Sequence, residues 1–378
     1  MSSLLLITRH AVPNYGSFLQ TLATVKYFSS KGHKIEVLDY IPEMELPKNL
    51  YKPMLHGSSF ANSKLKRIPY TLLRKPDFRK MGNKFREFQK NDLPLTKEYN
   101  TLNENISELD NYDLYITGSD QVWGPIALSE YDRNYFWDFL SSDHKIMSFS
   151  ASFGNTHFSD DVIREYKRML SKFDAMTVRE SSAVKLIEDM GLKKAKTILD
   201  PTMMIDKQFW YSYAENKRTI SGKYVLVYQV HNNPQMEEYA KKVSKKLGLP
   251  LVRVSNSMAH VFRGGKFIYL PTPQVFLELI KNSEYVVTNS FHATVFSLIF
   301  DRRFSIVDSG KTNTRIRSLL DSVELTDRQI ADFEDFSQLK RTIDYNRVND
   351  ILNNCREASD RDVEEILLKL IKQPKQGK

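Results

Sequence analysis

Three stretches of the chain hold side chains that can move protons or hold anions. In TNSFHAT, residues 288–294, His292 stands just after an apolar run, Tyr285 to Val287, and just before a second one. An imidazole has an ordinary pKa near 6.5, so it both gives and takes a proton at neutral pH. Asn289 or Ser290 can cap a helix beginning at Phe291, and a helix start presents N–H groups and a positive dipole end to an anion. In GSDQVW, residues 118–123, Asp120 offers a carboxylate for acid/base work or for a substrate hydroxyl. Ser119 and Gln121 flank it, and Trp123 offers a face on which a sugar ring can stack. Asn14, Tyr15 and Gly16 close a third loop, where Asn14 can cap a helix and Gly16 permits close backbone approach. Plain structural roles stay open for each: a packed or capping histidine, a turn aspartate, an ordinary strand-to-helix turn.

The elements that must position these residues read as strands and helices in alternation. Ser3 to Thr8 is a strand, Ser17 to Ser29 an amphipathic helix and Lys34 to Leu38 a second strand, which together make a βαβ unit. Further strands follow at Tyr112–Ile116, Lys145–Ser150 and Ala175–Arg179, each running into small or polar residues. A second series begins with YVLVYQV after Lys223 and continues through a helix at Pro234–Leu247, a strand at Pro250–Val254 and a helix at Pro273–Asn282. It ends with the strand Arg303–Val307. Two runs of this kind predict an α/β protein of two Rossmann-like doubly wound domains facing a cleft. The expected limits are 1–210 and 211–343, with a helix at Asp344–Lys372 and a frayed tail at Gln373–Lys378 completing 344–378. The dinucleotide fingerprint GxGxxG is absent from the first loop.

A chain of 378 residues with 41% hydrophobic and 27% charged residues has enough apolar material for two cores. Its one cysteine, Cys355, excludes an internal disulfide framework and a cysteine-rich metal site, and no metal is expected. The absence of a spanning run of about 20 apolar residues, or of a leader, points to a cytoplasmic protein. The net charge of +9 is partly concentrated between Lys64 and Lys90, where ten basic residues meet only Asp77 and Glu87. That run is a solvated helical face, or else attracts an anionic membrane or substrate. No nucleic-acid signature accompanies it, and none is expected as a partner.

Taken together and in order, NYGSFLQT, GSDQVW, SFSASFG, TVRE, ILDPT and TNSFHAT resemble the polysaccharide pyruvyl transferase family, from about residue 4 to residue 325. The resemblance implies a fold similar to the GT-B glycosyltransferase type. It also implies transfer of the pyruvyl group of phosphoenolpyruvate to a sugar, as a ketal bridging two hydroxyls, with release of phosphate. Phosphoenolpyruvate is then a substrate, and no cofactor is implied. Arg179 corresponds to the arginine of the family's VRE motif, which looks like a ligand for the donor's anionic groups, and His292 matches the family histidine. Asn289 and Ser290 fall on the donor side in the C-terminal domain. Asn14, Tyr15, Gly16, Ser119, Gln121 and Trp123 fall on the acceptor side, with Asp120 orienting or deprotonating the acceptor hydroxyl. Some members have Arg-Leu-His where this chain has Ser290, Phe291 and His292, so Arg315 or Arg317 is the expected source of the missing charge. The acceptor is expected to be a cell-surface glycan or its lipid-linked precursor at an anionic membrane face. A sugar-nucleotide glycosyltransferase and a non-catalytic carbohydrate-binding protein of the same fold are the alternatives.

Overall fold

Strands β1 (Ser3–Ile7), β2 (Lys34–Tyr40), β3 (Leu95–Tyr99), β4 (Leu114–Thr117), β5 (Ile146–Ala151), β6 (Ala175–Val178) and β7 (Lys196–Thr197) form one sheet. Its order is 3-2-1-4-5-6-7, with every pairing parallel. Strands β8 (Val225–Tyr228), β9 (Leu251–Ser255), β10 (Lys266–Tyr269), β11 (Tyr285–Thr288), β12 (Arg303–Val307) and β13 (Gln329–Ile330) form the second. Its order is 10-9-8-11-12-13, again all parallel. The computed structural model describes residues 1–56, 64–102, 106–126, 129–140, 143–155, 157–307 and 314–371. It divides into two units, Met1–Ile205 together with the chain from Cys355 onward, and Asp206–Asn354.

Each sheet reverses its direction of growth once, between β1 and β4 and between β8 and β11. The strands on either side of these reversals are the most apolar: Leu4 to Ile7, Leu114 to Ile116, Val225 to Val227 and Tyr285 to Val287 are all fully buried. A strand covered on both faces has no room for chemistry along its length, so ligands meet such a sheet past the strands' carboxyl ends, at the reversal. The loops at these ends begin with Thr8, Gly118, Gln229 and Asn289, so the chain's polar motifs lie there.

The helix after β1 runs from Tyr15 to Ser30, capped by Asn14, whose Oδ1 accepts the Gly16 N–H at 2.7 Å. It starts two residues earlier than the sequence suggests. The helix Phe291–Ile299 after β11 is capped by Ser290 and is buried throughout. The last helix, Tyr345–Ile371, is not an element apart. Val363, Ile366 and Leu367 pack with Leu4, Leu6 and Val25 in the core of the first unit, while Tyr345 bonds to the Arg302 carbonyl in the second. The expected tail at Gln373–Lys378 lies outside the described residues.

The basic run forms the helix Lys64–Asp92. Phe78, Phe85 and Phe88 turn inward, and so does Arg86, which the charge pattern alone would leave in solvent. Arg86 donates from Nη1 and Nη2 to the two Asp39 oxygens at 2.9 and 2.7 Å, and His10 Nε2 lies 3.0 Å from Asp39 Oδ1. Gln89 Nε2 donates to the His10 carbonyl at 2.6 Å. This clamp ties the helix to the loop after β1. Burial pushes the Asp39 carboxyl up, but hydrogen bonds with His10 and Arg86 outweigh it and hold it below its ordinary value. A depressed carboxyl contributes stability above its unfolded pKa and loses it as pH falls through the folded one. Asp39→Asn is expected to cost about 3 kcal/mol at pH 7, because it strands a buried guanidinium. The urea midpoint followed by circular dichroism should drop at pH 7, and its gap to wild type should narrow toward pH 3. An unchanged midpoint at pH 7 would show the clamp to be solvent-screened.

Candidate functional site

In the first unit, the loops leaving β4, β5 and β6 gather around Asp120. Asp120 sits at φ +80° and Ser150 at φ +55°, both left-handed positions that non-glycine residues seldom take. Asp120 forms a parallel bridge with Ala151, so the two strained residues lie on neighbouring strand ends. The β4 and β5 loops pack closely enough to demand glycine: a Cβ on Gly124 would come within 2.2 Å of the Phe153 carbonyl oxygen. One on Gly154, at φ +65°, would come within 2.3 Å of Gln121 Nε2. So held, Asp120 Oδ2 accepts the Ser17 hydroxyl at 2.6 Å, and Oδ1 accepts the Gln121 N–H at 2.9 Å.

Arg179, just past β6, is 8% exposed and lies among carboxylates. Its Nη1 donates to Asp200 Oδ2 at 2.9 Å, and Asp120 and Glu180 each stand 3.9 Å away. Asp200, fully buried, also accepts from Ser119 Oγ at 3.2 Å and from the Thr202 N–H and hydroxyl. Burial pushes the Arg179 guanidinium down, but the charges of Asp200, Asp120 and Glu180 outweigh that and raise it. Arg179 is held in the first unit by its bond to Asp200, with two further carboxylates beside it. Arg179 orders Asp120 and Asp200. A second guanidinium, Arg9, is paired with Glu45 and lies in the field of Tyr135 and Asp120; burial lowers it and these neighbours raise it. Asp120 thus lies in the field of two guanidinium groups, Arg9 and Arg179.

Other acceptor-side expectations are also revised. Trp123 is fully buried, packed against Phe136, Phe153 and Phe173 at centroid distances of 5.9, 5.1 and 5.6 Å, and offers no face to a sugar. Tyr15 is buried against Phe85, and Gly16 is a buried helical residue, so both serve the core. Asn14 is half-buried with its oxygen engaged as a cap, Ser119 is buried beside Asp200, and half-buried Gln121 lies over Gly154.

In the second unit, β11 ends at Thr288, and the Ser290 hydroxyl accepts the Ala293 N–H at 3.3 Å. His292 lies in the first turn of the helix, buried, its ring edge-on to Phe291 at 5.1 Å. Arg315 lies over the Phe291 ring at 5.8 Å, whereas Arg317 on the same helix, Thr314–Ser322, is exposed. Of the two, Arg315 is the one brought to the helix start. Asn289 is a brace and not a ligand: Oδ1 accepts the Val230 N–H at 2.9 Å and Nδ2 donates to the His231 carbonyl at 2.7 Å. Partial desolvation of its largely exposed ring and the Arg315 charge both push the His231 imidazole below its ordinary value.

Sequence inspection passes over Ser17, Arg9, Glu180, Asp200 and His231. Asp200 stands in the ILDPT motif and Arg9 at a strand end, both visible signals, while His231 stands in no motif. Among the described residues, no group of three or more His, Cys, Asp or Glu side chains is arranged to hold a metal ion.

A sequence model of the family described as polysaccharide pyruvyl transferase matches residues 14–310. No curated protein matches the chain by sequence. In fold, the chain is similar to a Listeria monocytogenes protein described as a UDP-N-acetylglucosamine 2-epimerase, at 9% identity and TM-score 0.53, covering 99% of this chain and 98% of that one. It is similar to S. aureus MnaA, solved with UDP, at 12% identity and TM-score 0.52, again covering 99% and 98%. A further UDP-N-acetylglucosamine 2-epimerase aligns at 10% identity and TM-score 0.53, covering 100% and 98%. At such identities the likeness bears on fold alone, the paired α/β architecture similar to the GT-B type. The match from residue 14 to residue 310 takes in every motif from NYGSFLQT to TNSFHAT, and the chain belongs to the polysaccharide pyruvyl transferase family.

Proposed function

We propose that the protein transfers the pyruvyl group of phosphoenolpyruvate to two hydroxyls of a sugar in a cell-surface glycan or its lipid-linked precursor. The observation that carries this is His292 in the first turn of a capped helix, with Arg315 over the adjoining Phe291 ring. Phosphoenolpyruvate brings a carboxylate and a phosphate, which suit the N–H groups of that helix start and a guanidinium. Proton transfer to its methylene carbon makes C2 electrophilic, and a sugar hydroxyl adds there. Phosphate then leaves, and the second hydroxyl closes the ketal. His292 supplies the proton at the donor. Asp120, fixed by Ser17 and the Gln121 N–H, orients an acceptor hydroxyl, so the first unit serves the acceptor and the second the donor. The Ser290 hydroxyl, which accepts as the cap, has its own proton to give to a donor oxygen.

Phosphate release from phosphoenolpyruvate, measured with a panel of galactose-, mannose- and N-acetylhexosamine-terminated acceptors, tests this directly. Release should depend on the acceptor, and His292→Ala should slow it by about 10²- to 10⁴-fold. Asp120→Asn should raise the acceptor KM and leave the thermal shift caused by phosphoenolpyruvate in place. Stabilisation by a nucleotide sugar and none by phosphoenolpyruvate would favour a glycosyltransferase instead.

A lipid-linked acceptor would be met at a membrane, with the protein cytoplasmic and peripheral. Among the described residues, no helix is long and apolar enough to cross a bilayer. The helix Lys64–Asp92 turns Ile68 and Leu72, 62% and 70% exposed, outward together with Lys75, Arg79 and Lys80. Apolar side chains beside a basic cluster suit an anionic bilayer surface. Binding to phosphatidylglycerol vesicles should weaken about thirtyfold in the double variant Arg79→Gln, Lys80→Gln, at about 1 kcal/mol per charge. Co-sedimentation that ignores both the substitutions and added salt would exclude this surface.

A further inference from the structure

The loop that leaves β8, residues 229–233, is braced from two sides, although its sequence, Gln-Val-His-Asn-Asn, carries no motif. On one side Asn289 holds the Val230 N–H and the His231 carbonyl. On the other, Arg263 donates from Nη1 to Gln229 Oε1 at 2.8 Å and from Nη2 to Asn232 Oδ1 at 2.7 Å. Arg263 is itself held by Glu237 at 2.9 Å, and Glu237 is paired with Arg253, a guanidinium 1% exposed. Fixing a loop costs conformational entropy, and this one recovers little of it by burial, since Val230, His231 and Asn232 are exposed. The bracing fixes the backbone of His231 against Asn289, the residue that leads into the helix bearing His292, and Arg315, which lies over Phe291 in that helix, also acts on the His231 ring.

The proposed reaction needs two groups at that start in opposite states. One must hold a proton to give to the methylene carbon, and the other must be empty to receive the hydroxyl proton, so a single imidazole cannot serve both in one step. We infer that His231 is the second proton-transfer residue of the donor site, the base that receives the proton of the attacking sugar hydroxyl while His292 protonates the methylene carbon. This rests on the pyruvyl-transfer reading. As the acceptor oxygen bonds to C2, the C=C electron pair takes the proton of His292 and the hydroxyl proton passes to His231. The C–O bond to phosphate then breaks, its electron pair leaving with the phosphate, which takes the proton from His231. The second hydroxyl bonds to C2 and gives its proton to His292, and both imidazoles return to their starting states. The charged groups around His231 suit it to start empty. Partial desolvation and the charge of Arg315, from the helix Thr314–Ser322, disfavour its cation, and Glu237 is engaged between Arg263 and Arg253.

The test is the pH profile of kcat/KM for acceptor-dependent phosphate release, measured on the full chain. Wild type should lose activity on the acid side as His231 gains a proton. His231→Asn should lower kcat/KM about 10²- to 10³-fold and abolish that acid limb. It should keep the thermal shift by phosphoenolpyruvate, which a merely structural residue would not. Arg315→Gln removes a neighbouring positive charge, so its acid limb should move to higher pH. This second variant carries the test if circular dichroism shows His231→Asn to be misfolded. An acid limb unchanged in His231→Asn, or unmoved in Arg315→Gln, would overturn the assignment while leaving pyruvyl transfer intact. Absence of phosphoenolpyruvate turnover in wild type would instead overturn the underlying reading.

Discussion

Burial of the central strands on both faces is the constraint from which the rest of the molecule follows. Leu4 to Ile7 and Tyr285 to Val287 are wholly enclosed, which leaves polar side chains only the positions past the carboxyl ends. Those positions are also where helices begin, so each unit presents N–H groups and a loop there and not a strand face. The same geometry explains why the side chains that meet there are far apart in sequence. Ser17 and Asp120 are separated by 103 positions, and Arg86 and Asp39 by 47. A parallel sheet brings its strand ends into line only after the whole crossover pattern has formed.

Enclosure also sets the electrostatics. Charges near the ends of such strands lose most of their water, and each must find a partner in the protein. In the first unit the solution is a nearly closed network in which Arg179 is divided among Asp200, Asp120 and Glu180, with Ser119, Ser152 and Thr202 completing the carboxylates. Three carboxylates around one guanidinium give this end of the first unit a strongly acidic lining. The second unit differs at its helix start: Arg315 faces a ring and an imidazole, and the Ser290 hydroxyl completes the cap. The two units have the same topology around the reversal and opposite electrostatic characters. A carboxylate is ordered in one, and a guanidinium with two imidazoles is offered in the other.

The fold class was legible because it rests on local signals. Short β-branched runs alternating with capped helices need no tertiary knowledge, and the helix start at Phe291 could be placed from the residues alone, with Asn289 or Ser290 as its cap. What was not legible depended on which face a side chain would take. Trp123 follows Asp120 by three residues in a polar-looking loop, yet the turn sends it inward among phenylalanines, because Asp120 takes a left-handed φ. Arg86 lies in a run of surface cations and is the member that meets Asp39. Arg179 was legible as a motif residue with Glu180 beside it, but Asp120 and Asp200 come from other loops, and no spacing rule predicts their convergence. His231 had no signal at all, since its bracing residues, Asn289 and Arg263, lie 58 and 31 positions away or more from the residues they hold.

In the first unit two left-handed residues meet at neighbouring strand ends. Glycine could stand at position 120 without conformational cost, and an aspartate at φ +80° persists only because the surrounding loops leave it no alternative. Ser150, at φ +55° on the neighbouring strand end, has its N–H held by Thr177 Oγ1 at 3.0 Å. Each such position costs about 1–3 kcal/mol. Two of them side by side, over loops already requiring Gly124 and Gly154, would be an unprofitable way to build a simple turn. The strain becomes intelligible if the carboxylate must point in one direction, toward a hydroxyl group that Ser17 now occupies. The serine hydroxyl 2.6 Å from Asp120 Oδ2 shows which way that carboxylate points, and the left-handed backbone at position 120 is what aims it there.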